Sequence, residues 1–164
     1  MPESTVEICS LEKDDNLAEL ISLSKDFFRE YESNHKEFFL IDNLNDKDII
    51  DYFNRFIDIE ERKAFIAIAA GKVVGYITVY VRDQPSFWQV KRVGDISGLM
   101  VHKDYRHKGI ASQLMSNAID FFMEKEVKYY TVFTSVNNIA GIGFYKQNGM
   151  EPLYTTMVGE IVNH

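Results

Sequence analysis

Apolar residues recur along this chain in two rhythms, the helical one and the alternating one, with short unbroken apolar runs between them. Positions 5–10 alternate weakly and predict a short first strand. Leu17, Leu20, Ile21, Ser24, Phe27, Phe28 and Tyr31 then share one helical face. Asp15 or Asn16 is the expected N-cap, with Glu19 in the capping-box position after Asn16. Residues 32–44 mix charge and aromatics without a period and predict a loop. Asn45 is expected to cap a second helix with Ile49, Ile50, Phe53, Phe56 and Ile57 on its inner face. The run 64–70 suits a strand buried on both faces, Gly71 a tight turn, and 73–81 the second arm of a hairpin. Residues 82–91, with Pro85 and Trp88, break the pattern. A strand over 93–101 carries Gly94 and Gly98, glycines that mark a bulge or a close backbone approach. A helix over 109–126, a strand over 129–135, a short helix over 138–148 stopped by Gly149, and a last strand over 153–162 complete the pattern. The order β-α-α-β-β-β-α-β-α-β predicts an α/β (α+β) fold. No repeat or linker divides it, so residues 1–164 are expected to be a single domain.

Composition narrows the possibilities. The chain has 164 residues, 46% of them hydrophobic, which is enough to bury one core. The net charge of −7 argues against a general nucleic-acid surface. Cys9 is the only cysteine, which excludes an internal disulfide, and no Cys/His spacing of metal-binding type occurs, so no metal is expected. No run approaches membrane-spanning length, and the first residues show no basic-then-apolar leader. A cytoplasmic protein without membrane or nucleic-acid partners is the default expectation.

One stretch carries the chemistry. The strand ending at Val101 is followed by the basic cluster 103–108, and Gly109, Ile110 and Ala111 then open a long helix. The first N–H groups of a helix lack partners and carry the positive end of its dipole. Glycine there lets a phosphate approach the backbone. The expectation is a phosphate-bearing ligand at 106–111.

The hexapeptide Arg106-His107-Lys108-Gly109-Ile110-Ala111 resembles the Arg/Gln-x-x-Gly-x-Gly/Ala signature of the GNAT N-acetyltransferase superfamily. The run from Asn138 through Gly141, Phe144 and Tyr145 to Gly149-Met150 resembles that family's second element, Asn-x-x-Ala-x-x-Phe-Tyr-x-x-x-Gly-Phe. Two positions depart from it. Gly141 stands where alanine is usual, and Met150 where phenylalanine is usual.

The resemblance implies a mixed, mostly antiparallel sheet of about six to seven strands with helices on both faces. A splayed strand pair would hold acetyl-CoA as co-substrate. Leu99, Met100 and Val101 would run beside the pantetheine arm, and backbone N–H groups from His107 to Ala111, with Arg106 beside them, would hold the pyrophosphate. Asn138 and Tyr145 would complete the cofactor site. Tyr145, protonated at neutral pH, would be the general acid toward the leaving thiolate. The family often places a carboxylate near Ser97. Here Asp95, two residues earlier and on the same face of a regular strand, is the candidate base. A Met100 N–H freed by a bulge near Gly98 would polarise the thioester carbonyl.

The implied activity is acetyl transfer to a primary amine by direct attack in a ternary complex. The alternative is a non-catalytic acyl-CoA-binding regulatory domain of the same fold. The acceptor, a small molecule or a peptide, stays open. Glu30, Glu32 and Glu37 could attract a cation, and Phe38, Phe39 and Trp88 could line a pocket. The last strand and the Trp88 loop could serve a homodimer.

Overall fold

In the computed structural model, strand β1 (Val6–Ser10) leads into helices α1 (Ala18–Glu32) and α2 (Asp46–Asn54). The hairpin β2 (Arg62–Ala69) and β3 (Lys72–Asp83) follows, then β4 (Arg92–Val101), a 3-10 turn at Lys103–Tyr105, α3 (Ile110–Glu124), β5 (Tyr130–Val132) and α4 (Ile139–Gln147). The structure describes residues 5–33 and 37–162, so residues 34–36 of the expected loop lie outside it. Met1–Phe133 and Thr134–His164 form two compact units.

The first unit is built on one five-stranded sheet in sequence order β1-β2-β3-β4-β5. All pairings are antiparallel except β4 with β5. The α1 and α2 side chains Leu20, Leu23, Ile49 and Phe53 bury against Ile66, Tyr76 and Met100. Phe53 meets Tyr76 edge to face at 5.0 Å. The other face receives α3. A Cβ built on Gly94 would sit 2.5 Å from the Phe122 ring, so this strand glycine is what lets α3 approach.

Local chemistry explains most of these elements. Asn45 and Asp48 form the reciprocal capping box that starts α2. Ala70 and Gly71, with φ of 51° and 75°, make the two-residue turn of the β2–β3 hairpin, whose backbone needs positive φ at both positions. At α1 the expected cap is displaced. Leu17 holds the N-cap position without a side-chain bond, while Asn16 Oδ1 accepts from the Ala18 N–H. Glu19 does not close a capping box; its carboxylate accepts from the Val73 N–H at 2.6 Å and ties α1 to β3.

The second unit holds α4, and there the expected last strand is absent. Residues 151–162 have no regular structure and are exposed. A strand exists only through a hydrogen-bonded neighbour, and among the described residues this segment has none. The sheet therefore has five strands rather than six to seven. Among the described residues no helix is long and apolar enough to cross a membrane.

Candidate functional site

The β3–β4 pairing slips once, between Thr78 and Val79. Thr78 pairs with Gly98 and Val79 with Ile96, so Ser97 is the extra residue of a bulge. On the other edge of β4, β5 pairs only with Gly94, Asp95 and Ile96. From Ser97 onward that edge has no strand beside it among the described residues, which opens the splay expected at 99–101.

The ladder's phase decides which groups face the opening. The His102 N–H donates to the Val74 carbonyl at 2.7 Å. In an antiparallel ladder bonded pairs alternate, so Met100 exchanges its bonds with Tyr76, its register partner. The Met100 N–H therefore points into the sheet, and the expectation that the bulge frees it is corrected. Leu99 and Val101 turn their backbone groups to the open edge instead. The Met100 side chain is buried on the α1–α2 face.

The turn after β4 is shaped by two left-handed residues. His107 has φ of 60° and Gly109, the N-cap of α3, has φ of 79°. Among the described residues the N–H groups of 107–112 have no acceptor; the first engaged one is that of Gln113, bonded to the Gly109 carbonyl at 3.1 Å. Successive free N–H groups in this conformation at a helix start form an anion-binding nest. A Cβ built on Gly109 meets nothing within 4 Å, so the space in front of it is open.

The basic side chains of the turn are partly committed elsewhere. Arg106 donates from Nε to the Val101 carbonyl at 2.9 Å and from Nη2 to Glu30 at 2.7 Å. It fastens α1 to the end of β4. The Lys108 ammonium lies 5.3 Å from the Tyr105 ring centroid. A cleft of about 180 Å³ lined by Asp26, Glu30, Met100, Lys103 and Arg106 sits between α1 and the turn.

On the α1–α2 face of β4 the Tyr52 hydroxyl hydrogen-bonds with Thr78 Oγ1 at 2.6 Å and with Ser97 Oγ at 2.8 Å. Thr78 is fully buried and Ser97 exposed, so the chain of hydroxyls runs from core to surface at the bulge. Burial raises the Tyr52 pKa, so its phenol stays protonated. Sequence reasoning missed this residue. Its spacing of three from Ile49 and four from Phe56 put it on the inner stripe of α2, which was the available signal. Asp95 lies on the same face, as expected, with one oxygen bound to Arg82 and the other accepting from the Thr131 hydroxyl.

In the second unit Asn138 starts α4. Its side chain accepts from the Gly141 N–H at 3.1 Å and donates to Thr134 Oγ1 at 3.1 Å. A Cβ on Gly141 would stand 2.3 Å from the Asn138 amide nitrogen, so the departure at Gly141 makes room for this cap. Nothing in the structure explains Gly143. Tyr145 is half-buried, and burial pushes its pKa up to about 12. Its hydroxyl makes no hydrogen bond among the described residues.

Of the residues considered for an acceptor pocket, Glu32, Phe38 and Phe39 lie about the end of α1, and Trp88 does not join them. Glu30 is paired with Arg106, and Glu32 accepts from the Ile41 N–H at 3.1 Å. Phe39 packs on Tyr31 with ring centroids 4.6 Å apart. Trp88 is exposed in the loop before β4, at the far end of that strand from the turn, roughly 30 Å along it. The larger cavity, about 540 Å³, is lined by Leu11, Phe56, Arg62, Asp120 and Lys125. It lies toward the C-terminal end of α3, away from the open turn.

The sequence and fold have known relatives. The model of the acetyltransferase (GNAT) family matches residues 17–150. An N-alpha-acetyltransferase, MAK3, of Arabidopsis thaliana is 31% identical over 97 residues, 59% of this chain and 49% of its own length. The matched stretch is thus about half of that curated relative. An uncharacterized N-acetyltransferase of Archaeoglobus fulgidus is 24% identical over 120 residues, 73% of this chain and 81% of its own. Among solved structures, the aminoglycoside N-acetyltransferase AAC(6')-Iy in complex with CoA superposes with a TM-score of 0.78 at 18% identity, covering 98% of each chain. At that identity the likeness concerns the fold.

Proposed function

The chain belongs to the acetyltransferase (GNAT) family, and from that premise we propose that it is an N-acetyltransferase moving acetyl from acetyl-CoA to a primary amine. One observation carries the reading: the open edge of β4 at Leu99–Val101 leads straight into the unpaired N–H groups of 107–112. An extended arm ending in a pyrophosphate fits that sequence of donors. The AAC(6')-Iy structure holds CoA on the same fold, which supports the choice of ligand. We read 1–164 as one acetyltransferase domain.

In this reading the pyrophosphate oxygens accept from the backbone N–H groups of His107 to Ala111, strengthened by the α3 dipole. Arg106 shapes the site by holding α1 and β4 together. The pantetheine amides pair with Leu99 and Val101 as an added strand would. The Leu99 N–H, directed to the open edge, polarises the thioester carbonyl. Asn138 acts by setting the start of α4.

The amine nitrogen attacks the carbonyl carbon and the new C–N bond forms. The C–S bond then breaks with its electron pair going to sulfur. Tyr145 protonates that thiolate, since burial keeps its hydroxyl protonated across the neutral range. The surplus amine proton leaves toward Asp95. Both Asp95 oxygens already accept hydrogen bonds, so the proton travels through the Thr131 hydroxyl or a water rather than by direct contact.

A panel of small amines, polyamines, aminoglycosides and peptide N-termini, offered with acetyl-CoA and followed by thiol release, tests this. Amine-dependent thiol release with acetylated product is expected. Tight binding of acetyl-CoA with no release above the amine-free rate across the panel would instead support the acyl-CoA-binding regulatory domain.

A further inference from the structure

The cavity beside the C-terminal end of α3 takes no part in acetyl transfer as read above, and its walls are sorted by charge. It opens where β1 ends beside the start of β2, with Ser10 the register partner of Phe65. On β2, Ala64 and Ile66 face the α1–α2 core, so the alternate residues Lys63 and Phe65 turn to the side that α3 occupies. On α3, Asn117, Asp120, Phe121 and Glu124 fall at i, i+3, i+4 and i+7 and form one stripe along the facing wall.

Each wall carries charge that the protein leaves unused. The Arg62 guanidinium lies against Phe56 and Tyr80, 5.9 and 5.4 Å from their ring centroids. Among the described residues its side chain makes no ion pair or hydrogen bond, and neither does that of Lys63. Asp120 and Glu124 on the facing wall are equally without a partner. Opposite charges that line one cavity and do not close on each other stand too far apart to pair, and an occupant with both charges satisfies both walls. Lys125 is already engaged, 3.7 Å from Glu60. Glu12 and Asp58 add to the acids, so acids outnumber bases and the occupant has to bring a cation. Half-buried Phe65 and Ile59, which is 49% exposed, offer it apolar surface. The volume, about 540 Å³, suits a small molecule.

We propose that this cavity binds a zwitterion of the α-amino-acid class, a free amino acid or a dipeptide with a large apolar side chain. The carboxylate lies on Arg62 and Lys63, the ammonium on Asp120 and Glu124, and the side chain against Phe65 and Ile59. A planar guanidinium already held between two rings loses little freedom on taking a carboxylate, which makes Arg62 the anchor. The site is separate from the open turn at 107–112, and the inference does not rest on acetyl transfer.

Calorimetric titration with L-phenylalanine and with L-phenylalanyl-glycine tests it, and the tighter of the two tells a free amino acid from a dipeptide. Phenethylamine, which lacks the carboxylate, and 3-phenylpropionate, which lacks the ammonium, are the single-charge controls. One zwitterion is expected to bind with a dissociation constant below about 10 mM, and each control more than about threefold more weakly. Lys63→Gln with Asp120→Asn breaks no ion pair or hydrogen bond in the protein, so the double variant should melt as wild type does and weaken that zwitterion by more than about threefold. No binding of either zwitterion at ~10 mM overturns the proposal. So does a control that binds within about threefold of the zwitterion. So does affinity that the folded double variant keeps within about threefold, which would put the probe at another site, that of the amine acceptor included.

Discussion

Replacing Gly109 separates the phosphate-binding role of the turn from its role in folding. Gly109 has φ of 79°, and a side chain there enters open space rather than protein. The folding cost is therefore backbone strain alone, about 1–2 kcal/mol for an ordinary L-residue and less for asparagine, which tolerates the left-handed region. For a chain of this size that is a melting-temperature drop of roughly 2–8 °C with valine and less with asparagine. The binding cost is separate. A side chain at 109 stands where the pyrophosphate must come to reach the N–H groups of 107–112. Losing two charge-assisted hydrogen bonds, at about 1.5–3 kcal/mol each, weakens CoA by on the order of 100-fold or more. Calorimetric titration of Gly109→Asn and Gly109→Val with CoA, beside their thermal melts, reads both quantities. A folded Gly109→Asn variant that binds CoA within about threefold of wild type would refute the nest as the pyrophosphate site.

Other substitutions probe the remaining parts. Arg106→Ala should lower stability by about 1 kcal/mol through loss of the half-exposed Glu30 tie and weaken CoA less than about tenfold; abolished salt dependence of CoA binding would show instead that the guanidinium contacts phosphate. Asp95→Asn should depress turnover most at low pH, where the amine is protonated, and a pH–rate profile parallel to wild type would remove Asp95 from the proton path. Gly141→Ala should destabilise α4 by about 1 kcal/mol despite alanine's better helix propensity, because the new Cβ meets Asn138; adding Asn138→Ala should recover part of that loss, measured by denaturant melts as a double-mutant cycle. Tyr145→Phe should leave acetyl-CoA affinity unchanged and slow single-turnover transfer about 10²–10⁴-fold; a rate within about twofold would make Tyr145 a packing residue. The raised Tyr145 pKa also predicts a stability loss above pH about 10, as the unfolded phenol ionises first, growing until the folded one ionises near about 12. Phenylalanine at 145 removes that part of the alkaline limb.

What could be read from sequence was local. The Asn45 cap, the hairpin at Gly71 and the glycine-opened α3 each follow from residues within one turn of each other, and Gly94 announced a close approach by itself though its partner, Phe122, lies far along the chain. What failed depended on partners far along the chain. Glu19 met Val73 instead of its own helix start, because a strand N–H needed an acceptor. A bulge was expected near Gly98 and lies beside it, at Ser97. What sequence could not give was the ladder's phase: β3 takes the Met100 N–H through Tyr76, so Leu99 faces the opening. The strand at 153–162 has the right composition, but a strand is a property of a pair.

The site is assembled from features that each weaken a fold: a bulge, a strand edge without a neighbour, N–H groups without acceptors, and His107 held at positive φ, a conformation costing on the order of 1 kcal/mol. Around them lie ties that do not touch the open space. Arg106 joins α1 to the end of β4, Tyr52 bridges both sides of the bulge, and Glu19 fixes α1 to β3. That arrangement has a consequence for mutants. Tyr52→Phe removes only a hydroxyl, yet the Thr78 hydroxyl it satisfies is fully buried. The loss should therefore be about 1–3 kcal/mol, set by an orphaned buried group rather than by the average hydrogen bond. If Tyr52→Phe melts as wild type does and Thr78→Val is equally silent, the hydroxyl chain is not what holds the bulge, and the splay must be held by the packing of Phe53 on Tyr76 instead.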